Sequence, residues 1–289
     1  MKERKDYPFH SAEEEVRSKR ETKKFKLAFT DEDFLLCKEL RSVRLLLEYK
    51  KAEMVLDKQN IQSTIVVCGS SRFVSKEQAQ LEFDQAEDYS RKYPNDPEAE
   101  KDLKLTKKQL EMSEFYEASR QLAIRITSSK RARKEGEFVI LTGGGPGIME
   151  AANRGANENG AKSLGLSIFL PTEEDPNKFI PEELHIQFHY FAMRKMHFLA
   201  RARALVFFPG GYGTLDELFE TLTLIQTKKI EPIPVLLYGK AFWDKIVNFE
   251  ALVEENVIAA EDLKYIEYVE SVEKAWRRIK DFYDYSEFR

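Results

Sequence analysis

Glycines and acidic residues are combined at one point of the sequence in a pattern that favours anion binding. Pro209 to Glu217 reads PGGYGTLDE, and it follows the short apolar run Ala204–Phe208. Glycine permits backbone conformations and close approaches that a side chain would forbid. The free N–H groups and the positive dipole end of a helix N-terminus attract negative charge. The pattern therefore predicts a buried strand, a glycine loop and a helix that binds an anion at its start.

The start of that helix can also be predicted. Thr214 and Glu217 have the spacing of a capping box, which makes Thr214 the predicted N-cap. Beyond them, Leu218, Leu222 and Ile225 recur at the spacing of one helical face. The alternative interpretation is that the three glycines serve only the geometry of a tight strand-to-helix turn.

Two further groups of small residues follow predicted strands. Thr142 to Glu150 reads TGGGPGIME after the strand Phe138–Leu141, and a helix is predicted from Ala151 to Asn159. Ile148 stands where the dinucleotide fingerprint needs glycine or alanine, and the Gly-Lys-Ser/Thr end of a P-loop is absent. Gly69, Ser70 and Ser71 follow the strand Thr64–Cys68, where a ligand crevice and a simple turn are both consistent with the residues.

The elements that must position these loops alternate between strand and helix. This alternation predicts an α/β fold, a Rossmann-like doubly wound and mainly parallel sheet, in which all the glycine loops lie at the carboxyl edge. The remaining predicted strands are Ser163–Leu170, Ile186–Phe191, Ile233–Tyr238 and a possible edge strand Tyr265–Val269. The remaining predicted helices are Ala192–Arg203, Phe242–Ile258 and Ser271–Tyr285.

Two long helical segments lie outside this alternation. Residues 1–60 form a predicted helical N-terminal extension, with one amphipathic helix from Asp31 to Lys58 capped by Thr30. Residues 75–134 form a predicted helical insertion, broken at Pro94–Pro97, within a nucleotide-binding domain of residues 61–289. Phe115, Leu122 and Ile126 are its predicted buried stripe.

Composition excludes several classes of protein. The net charge of −4 gives no global attraction to nucleic acid, and no apolar run has the roughly 20 residues that a membrane span needs. Cys37 and Cys68 are too few for a disulfide framework, and the first 20 residues lack the apolar core of a signal peptide, so we expect a cytoplasmic protein. The four histidines show no metal-ligand spacing, so no metal site is predicted.

Three motifs together resemble the LOG family of phosphoribohydrolases. They are TGGGPGIMEAANRGA from Thr142, MRK from Met193 and PGGYGTLDE from Pro209. The resemblance implies hydrolysis of nucleoside 5′-monophosphates, AMP or cytokinin ribotides, to free base and ribose 5-phosphate. It also implies a homodimer or a higher homo-oligomer and no cofactor. Members of this family are often labelled lysine decarboxylases, but nothing here marks a pyridoxal-phosphate lysine.

The same resemblance implies roles for individual residues. Arg194 and Glu217 are expected to be catalytic, and Gly210 to Thr214 to hold the 5′-phosphate. The expected substrate-binding residues are Gly69, Ser70, Ser71, Gly143, Gly144, Gly145, Met193, Lys195, Gly210, Gly211, Gly213 and Thr214. The alternative is a nucleotide-binding or molybdenum-cofactor-binding carrier or sensor without turnover, because such carriers share the glycine architecture.

Overall fold

The computed structural model describes residues 26–132, 134, 136–170 and 175–286. Its contacts divide the chain into two units, one that ends at Tyr49 and one that begins at Lys50. Residues 1–25, which include the basic residues Lys19, Arg20, Lys23 and Lys24, and residues 171–174 lie outside the described residues.

The first unit contains short helices rather than the single long helix predicted from Asp31. Helix α1 (Glu32–Leu36) is followed by a 3-10 turn at Lys38–Leu40 and by α2 (Arg41–Lys58), which continues into the second unit. The N-cap of α1 is Asp31, not Thr30, since its side chain accepts the N–H of Phe34 at 3.4 Å. The break occurs at Cys37, which is extended, and Arg44 donates to the carbonyl of Cys37 at 2.7 Å.

The second unit is built on a seven-stranded parallel sheet, which confirms the doubly wound α/β prediction. The strand order is β4-β3-β2-β1-β5-β6-β7, and every neighbouring pair is parallel. The strands are β1 (Thr64–Cys68), β2 (Val139–Thr142), β3 (Ser163–Ile168), β4 (His185–Phe188), β5 (Ala202–Phe207), β6 (Val235–Tyr238) and β7 (Glu267–Val269).

Helices cover both faces of this sheet because both faces of a parallel sheet are apolar. One face carries α2, α6 (Phe191–Ala200), α7 (Tyr212–Gln226), α8 (Lys240–Ile246) and α9 (Phe249–Glu254). The other carries α4 (Pro97–Thr127), α5 (Ile148–Glu158) and α10 (Val272–Ser286). Helix α3 (Lys76–Lys92) packs along α4.

The region predicted as an insertion supplies the crossover from β1 to β2. Helices α3 and α4 are separated at the predicted break, where Asp96 caps α4 and Pro97 is its first residue. Leu122 and Ile126 are fully buried against the sheet, as the predicted stripe requires, and Phe115 is partly buried in the same core.

Several predicted boundaries are wrong by a few residues, and one predicted helix is divided. The segment from Phe242 to Ile258 contains the two helices α8 and α9, because Val247 is extended and Asn248 caps α9 by accepting the N–H of Ala251 at 3.0 Å. Strand β2 begins after Phe138, whose φ is +52°.

The chain changes direction at β1. It moves outward from β1 to β4 and then returns to place β5 on the other side of β1. Thr64 of β1 therefore pairs with Val139 on one side and Ala202 on the other. In open parallel sheets, ligands bind in the crevice at the carboxyl ends of such a pair of strands.

Candidate active site

The β5–α7 loop (Phe208–Gly211) lies at that crevice. It is tied to the loop after β1 by two backbone hydrogen bonds, from Phe208 N–H to Cys68 O at 2.9 Å and from Ser70 N–H to Pro209 O at 3.0 Å. The two carboxyl ends of the switch point are thus held together by the protein itself.

Helix α7 begins earlier than the sequence predicted, and the capping box is wrong. Its N-cap is Gly211, which has no side chain to donate or accept, and Thr214 is already the third helical residue. Thr214 is buried and folds back so closely that a Cβ on Gly210 would lie 2.1 Å from its Oγ1. The N–H groups of the first turn have no intrahelical acceptor, and no side-chain cap replaces one.

Two glycines of this region have no packing reason to be glycine. A Cβ built on Gly211 or on Gly213 would meet no atom within 4 Å. The φ of Gly211 is −97°, which other residues also adopt. The absence of a side chain therefore leaves open space directly in front of the helix N-terminus.

The β2–α5 loop (Gly143–Gly147) is held by a buried polar network. Asn177 donates from its side chain to the carbonyl oxygens of Gly144 and Gly145, at 3.1 and 3.0 Å, and from its backbone to Gly144 at 2.9 Å. Asn153 accepts from Asn177 at 3.0 Å and from Thr142 at 2.7 Å. The network fixes the loop from behind and leaves its other side facing the crevice.

Arg194 and Glu217 are brought together by α6 and α7. The guanidinium NH2 lies 3.8 Å from Glu217 Oε1, and the side chains are only 15% and 8% exposed. The rings of Phe191 and Phe198 pack against the guanidinium, with centroids 5.4 and 5.5 Å away. Arg194 Nε is buried and has no hydrogen-bond partner within the described chain, so a donor remains for a ligand.

Burial changes the acidity of Glu217. It raises the pKa of this carboxyl from 4.5 to about 7, and the charge of Arg194 opposes only part of that shift. Arg194 therefore does not keep Glu217 fully ionised, contrary to the simplest expectation for an arginine–glutamate pair. A carboxyl with a pKa near neutrality can both accept and donate a proton.

Two of the predicted site residues lie behind the cleft rather than in its wall. Lys195 pairs with Asp216 at 2.6 Å and with Glu220 at 3.3 Å, both on α7. Met193 packs partly buried against the core. Neither belongs to the residues that line the cleft.

Helix α6 directs its charged residues to different sides, so Arg194, His197 and Arg201 do not form one group. Glu53 of α2 forms an ion pair with Arg201, with Oε2 3.0 Å from the guanidinium NH2, and its Oε1 lies 3.3 Å from His197 Nε2. Arg194 alone of the three reaches the crevice.

The crevice is an open cleft of about 950 Å³. It brings together the catalytic candidates and most of the predicted binding residues, which are Gly69, Ser70, Ser71, Gly143, Gly144, Gly145, Arg194, Gly210, Gly211, Gly213, Thr214 and Glu217. Among the described residues no group of three or more His, Cys, Asp or Glu side chains has the arrangement of a metal site.

Sequence reasoning missed Asn153 and Asn177. Asn153 is on the buried face of α5, and Asn177 lies in the polar segment before β4, so neither stood out from ordinary helix and loop residues. A buried asparagine must find partners for its amide, but that signal appears only when burial is known.

The fold and this cleft define a Rossmann-like α/β protein with an open cleft at the switch point of its sheet. A family model described as possible lysine decarboxylase matches residues 149–279. The cytokinin riboside 5′-monophosphate phosphoribohydrolase LOG2 of Arabidopsis thaliana is 27% identical over 150 residues, which are 50% of this chain and 66% of the relative. The cytokinin riboside 5′-monophosphate phosphoribohydrolase LOG of Oryza sativa subsp. japonica is 29% identical over 144 residues, 49% of this chain and 58% of the relative.

The family model covers less than half of the chain and both relatives are under 30% identical, so these matches report a similarity to the LOG family, which the three motifs also resemble. The matched region spans less than two thirds of each of these relatives. Among solved structures, the molybdenum cofactor binding protein of Rippkaea orientalis aligns with 76% of this chain and 97% of its own, at 17% identity and a TM-score of 0.42. A score of that size does not distinguish an enzyme from a carrier.

None of the helices in the described part of the chain combines the length and apolar character that a bilayer span requires.

Proposed function

We propose that the chain hydrolyses the N-glycosidic bond of nucleoside 5′-monophosphates, AMP or cytokinin ribotides, and releases free base and ribose 5-phosphate. The observation that carries the proposal is the placement of the buried Arg194–Glu217 pair beside a helix N-terminus whose two glycines leave open space. An anion site and a reactive carboxyl in one cleft suit a substrate that joins a phosphate to a cleavable sugar.

In this proposal the 5′-phosphate binds at Gly210–Thr214, where backbone N–H groups and the helix dipole meet its charge. Glu217 lies less than one turn further along the same helix, so the ribose of a bound nucleotide would reach it. The bond from C1′ to the base breaks through a cation-like ribosyl group, which a carboxylate stabilises and toward which it directs water. The water supplies hydroxide to C1′ and a proton that leaves with the base.

Arg194 has two roles in this mechanism. Its charge lowers the pKa of Glu217 against the opposing effect of burial, which increases the ionised fraction at neutral pH. Its unpartnered Nε offers a donor to an oxygen of the sugar or the phosphate. Because Glu217 titrates near pH 7, we expect kcat/KM to rise as the pH increases through that value.

The decarboxylase description of the matching family receives no support from the cleft. Pyridoxal-phosphate enzymes hold the cofactor on a lysine, and none of the cleft-lining residues in the described chain is a lysine. Lys195, the one lysine among the predicted site residues, is engaged with Asp216 and Glu220.

We extend the proposal to the organisation of the protein. Residues 61–289 would form the catalytic domain and residues 1–60 a helical extension, and the active form would be a homodimer or a higher homo-oligomer in the cytoplasm. Light scattering of active protein tests the assembly, since an active monomer of 33.7 kDa would contradict it.

The direct test is incubation of the purified chain with AMP, followed by chromatography for adenine and ribose 5-phosphate. We expect both products in equal amounts. Tight binding of AMP without release of base, repeated across purine and pyrimidine monophosphates, would contradict the proposal and favour a carrier or sensor.

A further inference from the structure

Ser167 and His185 form a polar pair on the side of the cleft that lies away from the β5–α7 loop. Ser167 lies near the end of β3 and lines the cleft. Its Oγ is 2.7 Å from His185 Nε2 on the neighbouring strand β4. The pair belongs to none of the roles assigned above, and neither residue was singled out for the site from the sequence.

The direction of a bound nucleotide follows from the order of the elements. The phosphate site is at the end of β5, and β3 is the third strand from β5 in the sheet. Strands lie about 4.8 Å apart, so the two ends are separated by roughly 14 Å, a distance comparable with the length of a nucleoside monophosphate.

Arg194 lies on the path between these ends. Its helix α6 packs against β3 and β4, and its guanidinium reaches Glu217 on α7. A nucleotide with its phosphate at Gly211 and its ribose at this pair would therefore direct its base toward β3. Ile168 and Leu170 provide apolar surface at that end of the cleft.

We propose that Ser167, held in position by His185, binds the polar edge of the purine base of the nucleotide. This inference rests on the proposed function, because it assigns the base end of the same site. Ser167 is the residue that contacts the base, and His185 is a positioning residue that acts through it.

The chemistry of the pair suits both kinds of natural purine. A hydroxyl has one donor and two acceptor positions, and a neutral imidazole can present either a donor or an acceptor at Nε2. Burial and the charge of Lys51 lower the pKa of His185, which keeps the ring neutral at pH 7. With Nε2 protonated, Ser167 can donate to a base; with Nε2 bare, Ser167 donates to the ring and can accept from a base amino group.

The test is calorimetric binding of AMP and of ribose 5-phosphate to the full chain and its variants. Ser167→Ala should weaken AMP binding about three- to tenfold, the effect of one neutral hydrogen bond, and leave ribose 5-phosphate binding unchanged. His185→Leu should show the same selective loss. His185→Gln keeps a polar partner for Ser167, and Ser167→Thr keeps the hydroxyl. Both variants should therefore retain most of the AMP affinity.

A matched control is Ser90→Ala on α3, outside the cleft, which should change neither affinity. Equal weakening of both ligands by Ser167→Ala would indicate general damage to the site, and unchanged AMP binding would place the base elsewhere; either result overturns the inference. The binding readout also separates this inference from the proposed function, since a selective effect in a chain that releases no adenine would contradict only the hydrolysis.

Discussion

Two glycine loops of similar composition precede α5 and α7, but the structural constraints on their glycines differ. In the β2–α5 loop, Gly144 and Gly147 have positive φ, and a Cβ on Gly147 would lie 2.3 Å from the carbonyl oxygen of Ser70. At the start of α7, a Cβ on Gly211 or Gly213 would meet nothing within 4 Å. The first loop needs glycine for the protein's own packing, and we assign the need in the second to a ligand.

This contrast shows that glycine content alone does not identify a phosphate-binding loop. The loop richer in glycine is the one that the fold explains, whereas the fold leaves unexplained Gly211 of the β5–α7 loop and Gly213 in the first turn of α7. The predictions below test whether the two loops differ in function as they differ in packing.

The largest expected effect concerns the 5′-phosphate. Adenosine leaves the backbone donors of the β5–α7 loop unpaired, so its kcat/KM should be on the order of 10⁴ below that of AMP. Gly211→Val should lower the AMP rate toward the adenosine rate without a comparable loss of thermal stability, because the side chain fills open space. Similar kcat/KM values for AMP and adenosine would remove the phosphate role from this loop.

The next effect compares one carboxylate from each loop–helix unit. Glu217→Gln keeps the shape of the side chain but loses the charge that faces the ribosyl cation in the proposed mechanism, and kcat should fall about 10²–10³-fold. Glu150 on α5 accepts the hydroxyl of Tyr116 at 2.8 Å, and Glu150→Gln should leave kcat close to that of the unmodified chain. Near-normal turnover of Glu217→Gln would reduce Glu217 to a structural residue.

Stability should depend on pH through Glu217. Its pKa is raised to about 7 by burial, so between pH 4.5 and 7 the folded chain holds a proton that the unfolded chain has released. The free energy of unfolding should therefore fall as the pH rises through this window, by about 3 kcal/mol for this group. Denaturant unfolding from pH 4 to 8 should show a smaller fall for Glu217→Gln than for Glu150→Gln; equal slopes would show that Glu217 titrates normally.

The smallest expected effect is on stability and compares alanine substitutions of a glycine in the β2–α5 loop and a glycine in the first turn of α7. Gly147→Ala forces a side chain into a positive-φ conformation and against Ser70, and it should cost about 1–3 kcal/mol of stability. Gly213→Ala should be neutral or slightly stabilising, since alanine is the better helix former. Chemical denaturation measures both, and equal losses would show that the glycines of the two regions have the same structural role.

The sequence predicted the architecture well because its signals are local and repeated. The apolar run Thr64–Cys68 is β1 without a change of boundary, and the break before Pro97 separates α3 from α4. The carboxyl edge where the loops meet follows from the alternation of strand and helix. Such features depend on composition and spacing within one segment.

The details of the site could not be predicted, because they depend on contacts between residues on different elements. The threonine–glutamate spacing predicted an N-cap, but the helix begins at glycine and Thr214 is drawn into its first turn. Lys195 neighbours Arg194 in sequence, yet one turns toward Asp216 and the other into the cleft. The pKa of Glu217 reflects burial by several elements, which the sequence could not report.

The pairing of β1 with β5 has a consequence for how the site comes into existence during folding. It joins Thr64 to Ala202 and Cys68 to Phe207, and strands β2, β3 and β4 lie between these two segments in the sequence. Pairing two segments so far apart in the chain is slow, because the entropy of the intervening loop is lost before the contacts are gained. The proposed phosphate site at the β5–α7 loop can form only after this pair has closed. A nucleotide that binds there should therefore slow unfolding of the chain without accelerating its refolding.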